Sequence, residues 1–217
     1  MTILLTPGTQ AVVAIAAFTA TGDMDRLTPA LNDGLNAGLT VNEIREILIQ
    51  MYAYAGFPRS LNGLGAFLGV LDDRAGRGIR DETGPDADPL PQGKSRLELG
   101  TDMQTRLVGR PVTGRVFDFA PAIDAFLKDH LFGDIFGRGV LDLQTREVAT
   151  VAALACMPGL GAQLQAHIAI ALNVGVTLPQ IRGVIAVIEA RVGTREAAAA
   201  MTALTEVLDA RAGQSAV

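Results

Sequence analysis

Sulfur, imidazole and aromatic rings are scarce in this chain. Its 217 residues include one cysteine, Cys156, two histidines, His130 and His167, two tyrosines and no tryptophan. One cysteine excludes an intrachain disulfide, a Cys-x-x-Cys redox pair and a thiolate metal cluster. Two histidines leave little material for a metal site, and none is expected. Charged residues make up only 19% of the chain and the formal net charge is −5. No Lys/Arg cluster gathers on a helix face, so nucleic acid would meet net repulsion instead of steering. No run approaches the roughly 18 apolar residues that a membrane span needs. The first apolar stretch, Ala11 to Phe18, lacks the basic flank of a signal peptide. A cytoplasmic protein with no membrane or nucleic-acid partner is expected.

What the chain does have is apolar residues, 49% of the total, enough for one core of ordinary size. It also repeats itself. Leu35-Asn36-Ala37-Gly38-Leu39-Thr40 matches Leu172-Asn173-Val174-Gly175-Val176-Thr177, and Val13 to Phe18 aligns with Ala149 to Leu154 in a register one residue different. The shared punctuation has mechanical meaning. Gly38 and Gly175 suit the left-handed residue that ends a helix. Thr40 and Thr177 cap the next helix, with Glu43 and Gln180 completing capping boxes. Helices are predicted near 8–21, 25–37, 41–55 and 58–71, and again near 143–156, 160–174, 178–192 and 195–211. Helical spacing also marks 96–108 and 120–132. Residues 73–95, rich in Gly, Pro and Asp, read as an exposed linker. The organisation is therefore a first repeat over 1–72, that linker, and a second repeat with its preceding helices over 96–217.

A repeat carries its own control, because a position that is apolar in one copy and ionisable in the other is not needed for packing. Glu147 aligns with Ala11, and His167 aligns with Ala30. The two helices that carry them are joined by a short turn at Pro158, so they run antiparallel. Glu147 and His167 then stand roughly 16 and 14 Å from that turn, at nearly equal height. A carboxylate that orients an imidazole makes an acid/base pair, and these two residues are the catalytic candidates. Around the bend between the third and fourth helices, Tyr54, Arg59 and Asn62 offer a phenol, a cation and an amide suited to an anionic small molecule. Cys156 ends its helix about 10 Å along the axis from His167. It is either an inert buried thiol or a redox group. His130 reads as a helix-end or interface residue.

Several of these segments together resemble the carboxymuconolactone decarboxylase superfamily, which also contains alkylhydroperoxidase D. They are Thr145-Arg146-Glu147, Gln163-Leu164-x-x-His167 and Leu172-Asn173-x-Gly175-x-Thr177. With them go Tyr54-Ala55-Gly56-Phe57-Pro58, Arg106-Leu107-Val108-Gly109 and Phe132-Gly133-Asp134-Ile135-Phe136-x-Arg138-x-x-Leu141-Asp142. The resemblance implies an all-α, alkylhydroperoxidase D-like fold with two tandem repeats fused in one domain. It implies oligomers, here a homotrimer, with sites between repeats or subunits. It also implies decarboxylation of a carboxylated muconolactone without a cofactor, or a thiol peroxidase cycle.

The chain departs from both patterns. The peroxidase cysteines would fall at Leu160 and Gln163, and the decarboxylase arginine that follows the histidine would fall at Ala169. The residue after Arg146 is usually not acidic in the decarboxylase branch, and here it is Glu147. The leading expectation is a cofactor-independent decarboxylase acting on a small carboxylated lactone or related acid. His167 would be its general acid/base, and Arg59, Arg146 or Arg138 would supply the cation. The alternatives are a peroxidase working through Cys156 and a non-catalytic oligomeric binding protein.

Overall fold

The computed structural model describes residues 5–215, and among them helices and their connections account for the whole architecture, with no strand. The first repeat consists of α1 (Pro7–Thr21), α2 (Met24–Asn36), α3 (Val41–Ala55) and α4 (Phe57–Gly76). Its boundaries follow the caps. Thr6 accepts from the Thr9 amide at the start of α1, and Gly22 ends that helix with φ 73°. Thr40 and Glu43 close a reciprocal capping box on α3. The second repeat follows the same plan with α8 (Leu143–Ala155), α9 (Gly161–Asn173), α10 (Leu178–Arg191) and α11 (Thr194–Ser215). Thr177 and Gln180 form the matching box on α10.

The two repeats share one core. Helices α1 and α8 lie against each other at its centre, and each is buried without interruption over ten residues, Ala11–Ala20 and Arg146–Ala155. A helix that is apolar all round belongs inside a protein, and the alanines of this pair allow its backbones to come close. The remaining helices cross over in pairs. α3 of the first repeat touches α8 of the second, while α10 of the second touches α1 of the first.

Between the repeats lie α5 (Arg96–Val108), α6 (Arg115–Phe119) and α7 (Pro121–Phe126), then a wider π-helical stretch over Leu127–Ile135 and a 3-10 turn at Phe136–Arg138. The regular helix predicted over 120–132 is thus broken in two. α5 approaches the π-helical stretch so closely that a Cβ on Gly100 would sit 1.6 Å from the Lys128 carbonyl oxygen. Only glycine permits that contact, and the widened turn accommodates it.

α4 runs to Gly76, past the boundary at 72 set from the sequence. The segment after it is mostly exposed, yet it is tied down as a strap. The amides of Val41 and Asn42 donate to the carbonyls of Glu82 and Thr83 (both 2.9 Å), and Asp88 N donates to Arg138 O (2.8 Å). Buried Arg74 forms a two-pronged ion pair with Asp81 (2.8 and 2.7 Å). Asn42 Nδ2 donates to the Pro85 carbonyl at 2.8 Å. The bonds from the Val41 and Asn42 amides satisfy two of the open donors at the N-terminus of α3.

Candidate active site

Helices α8 and α9 run antiparallel through the Pro158 turn and bring Glu147 and His167 into direct contact. His167 Nδ1 lies 2.8 Å from Glu147 Oε2. The Glu147 side chain is fully buried and that of His167 is 12% exposed, so the ring is the face of the pair that solvent or a ligand can reach. With Nδ1 donating to the carboxylate, Nε2 is left to exchange a proton. Tyr54, at the end of α3, sets its ring edge-on to His167 with centroids 5.5 Å apart. Its hydroxyl is shielded from solvent and has no partner at hydrogen-bond geometry, and the same holds for Glu147 Oε1. Burial first, and then the nearby Glu147 carboxylate, push the Tyr54 phenol well above its ordinary range. Thr150 and Arg146 oppose that shift by less. At neutral pH Tyr54 is therefore a neutral donor.

The cations proposed from the sequence are placed differently. Arg146 is completely buried and points across α8 to α3, where it donates to Gln50 Oε1 (2.9 Å) and Glu46 Oε1 (3.2 Å). Burial lowers its pKa, and Glu46 opposes that shift. Arg138 donates through Nε to both oxygens of the same buried carboxylate, at 2.7 and 3.0 Å. Both arginines are thus committed to Glu46. This network holds the repeats together instead of offering a cation to a ligand. Arg59 is further removed. It donates to the Ala20 carbonyl (2.5 Å) and reaches Met157 Sδ (3.8 Å), at the other end of α8, roughly 15 Å along the axis from Glu147. Asn62 lies exposed on α4. Of the three residues grouped around the α3–α4 bend, only Tyr54 joins the Glu147–His167 pair. A bend makes residues neighbours in sequence, but α4 leaves in another direction.

Sequence reasoning missed Glu46 and Gln50. Gln50 Nε2 donates to the Arg146 carbonyl and to Thr150 Oγ1, both at 2.9 Å, so it fixes the peptide that leads into Glu147. The signal was present in the repeat. Glu46 and Gln50 align with Gly183 and Val187, while Arg146 and Thr150 align with Gln10 and Ala14. The pseudo-equivalent location, where α10 meets α1, has no ionisable group at any of these positions or at Ala11 and Ala30. One polar site remains, built by α3 of the first repeat with α8 and α9 of the second.

Cys156 is buried at the far end of α8, where it lines a cleft of about 380 Å³ with Leu160, Leu164 and Glu196. Burial, reinforced by Glu196, pushes its thiol up to about 12. His130 sits outside the site on the π-helical stretch. Its Nδ1 lies 2.8 Å from Asp134 Oδ2, and its ring packs near Tyr52. No group of three or more His, Cys, Asp or Glu able to hold a metal occurs among the described residues. None of the described helices is long and apolar enough to cross a membrane.

No curated protein matches the chain. A family profile does match, and it covers residues 4–68 and 121–206. One stretch falls on each repeat, they leave out the strap and α5, and together they span well over half of the sequence. With its all-α fold and tandem repeats, the chain belongs to the Carboxymuconolactone decarboxylase family.

Proposed function

We propose that the protein is a cofactor-independent decarboxylase acting on a small carboxylated lactone or a related acid, with His167 as general acid/base and Glu147 orienting it. The observation that carries this reading is the 2.8 Å contact of His167 with a fully buried Glu147, at two positions that the other repeat fills with alanine. Loss of CO2 from a carboxylate placed β to a carbonyl moves the C–C electron pair into that carbonyl and leaves an enolate. Tyr54 donates a hydrogen bond to the enolate oxygen. Protonated His167 then delivers its Nε2 proton to the carbon and regains one from solvent.

The substrate carboxylate needs a cation that Arg138 and Arg146 do not provide. A cleft of about 630 Å³ along α9 is lined by Ala166, Ala169 and Ile170, by Arg110, and by Arg211, which donates to the Ala169 carbonyl (2.8 Å) and to Asn173. In this reading the hydrophobic body of the acid lies along these apolar walls and Arg110 is the cation nearest to hand. As expected for single-repeat relatives that assemble around a three-fold axis, the chain forms a homotrimer in this reading.

The peroxidase alternative is not favoured, since a thiol held near 12 is almost wholly protonated at neutral pH and is a poor nucleophile. The test is turnover. Purified protein is offered carboxylated lactones with CO2 release followed, and separately an organic hydroperoxide with a thiol reductant. Decarboxylation that disappears in His167→Ala supports the proposal. Peroxide reduction that disappears in Cys156→Ser, with no CO2 release from any acid, overturns it. Binding without turnover of either kind would leave a non-catalytic binding protein.

A further inference from the structure

The face that α3 turns toward α8 carries polar groups where a core helix is ordinarily apolar. Glu46, Gln50 and Tyr54 stand one turn apart along it. Glu46 and Gln50 are buried, as are Arg146 and Thr150 opposite them on α8. Gln50 uses both ends of its amide. Its Nε2 donates to the Arg146 carbonyl and to Thr150 Oγ1, both at 2.9 Å, and its Oε1 accepts from Arg146 Nη1 at 2.9 Å. These partners lie on either side of Glu147 in the chain. Packing one helix on the other does not require them. Where α10 lies against α1, the equivalents of Gln50 and Thr150 are Val187 and Ala14, and the equivalent of Tyr54 is Arg191. What apolar contact does not supply is a fixed register. Apolar faces tolerate a small slide along the helix axes, whereas buried hydrogen bonds resist it, because each displaced donor or acceptor is left without a partner.

Tyr54 is what that register places. It lies at the end of α3, one turn beyond Gln50, and its ring meets that of His167 edge-on at 5.5 Å. Its own hydroxyl does not hold it, with only Thr150 near and no partner at full hydrogen-bond geometry. Resting on the decarboxylase reading above, we infer that Gln50 is a positioning residue of the reaction, which pins α3 to α8 beside Glu147 and so sets the Tyr54 hydroxyl against His167. Being fully buried, Gln50 touches no substrate. Its part is to bring a donor from the first repeat and an acid/base pair from the second into one frame. Glu46 does less in this respect. It meets only the end of the Arg146 side chain and shares itself with Arg138, whereas Gln50 bonds the main chain of α8.

Gln50→Leu in the full chain tests the inference through two readouts. The first is the ring C–H resonances of His167 by NMR. The protein has two histidines, so His130→Gln identifies them, and Tyr54→Leu gives their position when the neighbouring ring is gone. In Gln50→Leu they move from the wild-type position toward that of Tyr54→Leu, because the ring that shifts them is displaced. The second readout is turnover of a carboxylated lactone. There kcat falls by about 10²-fold while KM changes little, since the Tyr54 hydrogen bond is made to the enolate. Gln50→Glu is the second variant, for use where leucine prevents folding. It keeps the size and the acceptor for Arg146 but cannot donate to the Arg146 carbonyl or to Thr150, and both readouts move in the same way. His167 resonances at their wild-type positions in the folded variant overturn the inference. So does an unchanged kcat, or a loss that falls on KM alone. A wild type that releases no CO2 removes the decarboxylase reading, and the resonances by themselves then decide whether Gln50 positions Tyr54.

Discussion

His167 Nδ1 and Glu147 Oε2 meet at 2.8 Å across a separation of 20 residues, and everything between them in the chain serves that meeting. α8 runs inward from Glu147, the Pro158 turn reverses the chain, and α9 climbs back to the same height. On the other side Tyr54 arrives from the first repeat, so the aromatic neighbour of the ring belongs to a different copy of the unit.

The pair acts as one device, and its variants should show it. His167→Ala removes the acid/base and slows turnover by about 10² to 10⁴-fold. Glu147→Ala slows it by a comparable factor, and the double variant is no worse than His167→Ala, because an orienting carboxylate has nothing to orient once the ring is gone. Each single variant costs about 1 kcal/mol of stability, since alanine already fills both equivalent positions in the first repeat. Turnover measured beside thermal unfolding decides the matter. Full activity in His167→Ala, or activity lost only in proportion to unfolding, makes the pair structural.

This much was legible in the sequence because a repeat compares itself. Equal helices and a short turn fix relative height, and alanine opposite an ionisable group identifies the site. The Glu46–Arg146 and Gln50–Arg146 contacts were readable in the same way, from Gly183 and Val187, but they lie between α3 and α8, whose pairing the sequence does not state. Arg59 and Asn62 were misplaced because the direction in which α4 leaves the bend is a tertiary property. The strap escaped for a different reason. Its hold on Val41 and Asn42 uses the carbonyls of Glu82 and Thr83, which every residue possesses, so composition alone reads it as a linker. The π-helical turn depends on Gly100 meeting Lys128, again a contact between segments that periodicity does not connect.

Tyr54→Phe should separate chemistry from stability. The phenol hydroxyl is buried with only Thr150 near it and no partner at full hydrogen-bond geometry, and a buried hydroxyl left so costs about 1–3 kcal/mol. Removing it leaves the protein as stable as the wild type or slightly more so, while kcat falls because the enolate loses its donor. A melting temperature several degrees lower would show that the hydroxyl holds the fold, and an unchanged kcat would remove Tyr54 from the reaction.

Cys156 should behave as packing. With its thiol pushed up to about 12, only about one molecule in 10⁵ carries a thiolate at pH 7. Alkylation of the folded protein by iodoacetamide is accordingly slow, and it becomes fast on unfolding in denaturant. Cys156→Ala retains decarboxylation. Rapid labelling of the native protein, or loss of activity in Cys156→Ala without loss of stability, would contradict this assignment.

The strap should loosen in acid. Its hydrogen bond with Arg74, more than the attraction of opposite charges, holds the Asp81 carboxyl below its ordinary value of 3.8, against the opposing effect of burial. A lowered folded-state pKa means that the ion pair contributes its full stability above about pH 4, where an unfolded chain would also be ionised. That contribution is lost as the pH falls from there through the folded value. Between pH 7 and pH 5 the segment after Gly76 should therefore resist cleavage near Asp81 to a constant degree. Below pH 4 that resistance falls, and pepsin, active there, reports it. Asp81→Asn keeps the shape and removes the charge, so it should be cleaved readily at pH 5 by a protease active there, while the helical core stays intact. Equal cleavage of Asp81→Asn and wild type at pH 5 would mean that the backbone bonds from Val41 and Asn42 hold the strap without help from the ion pair.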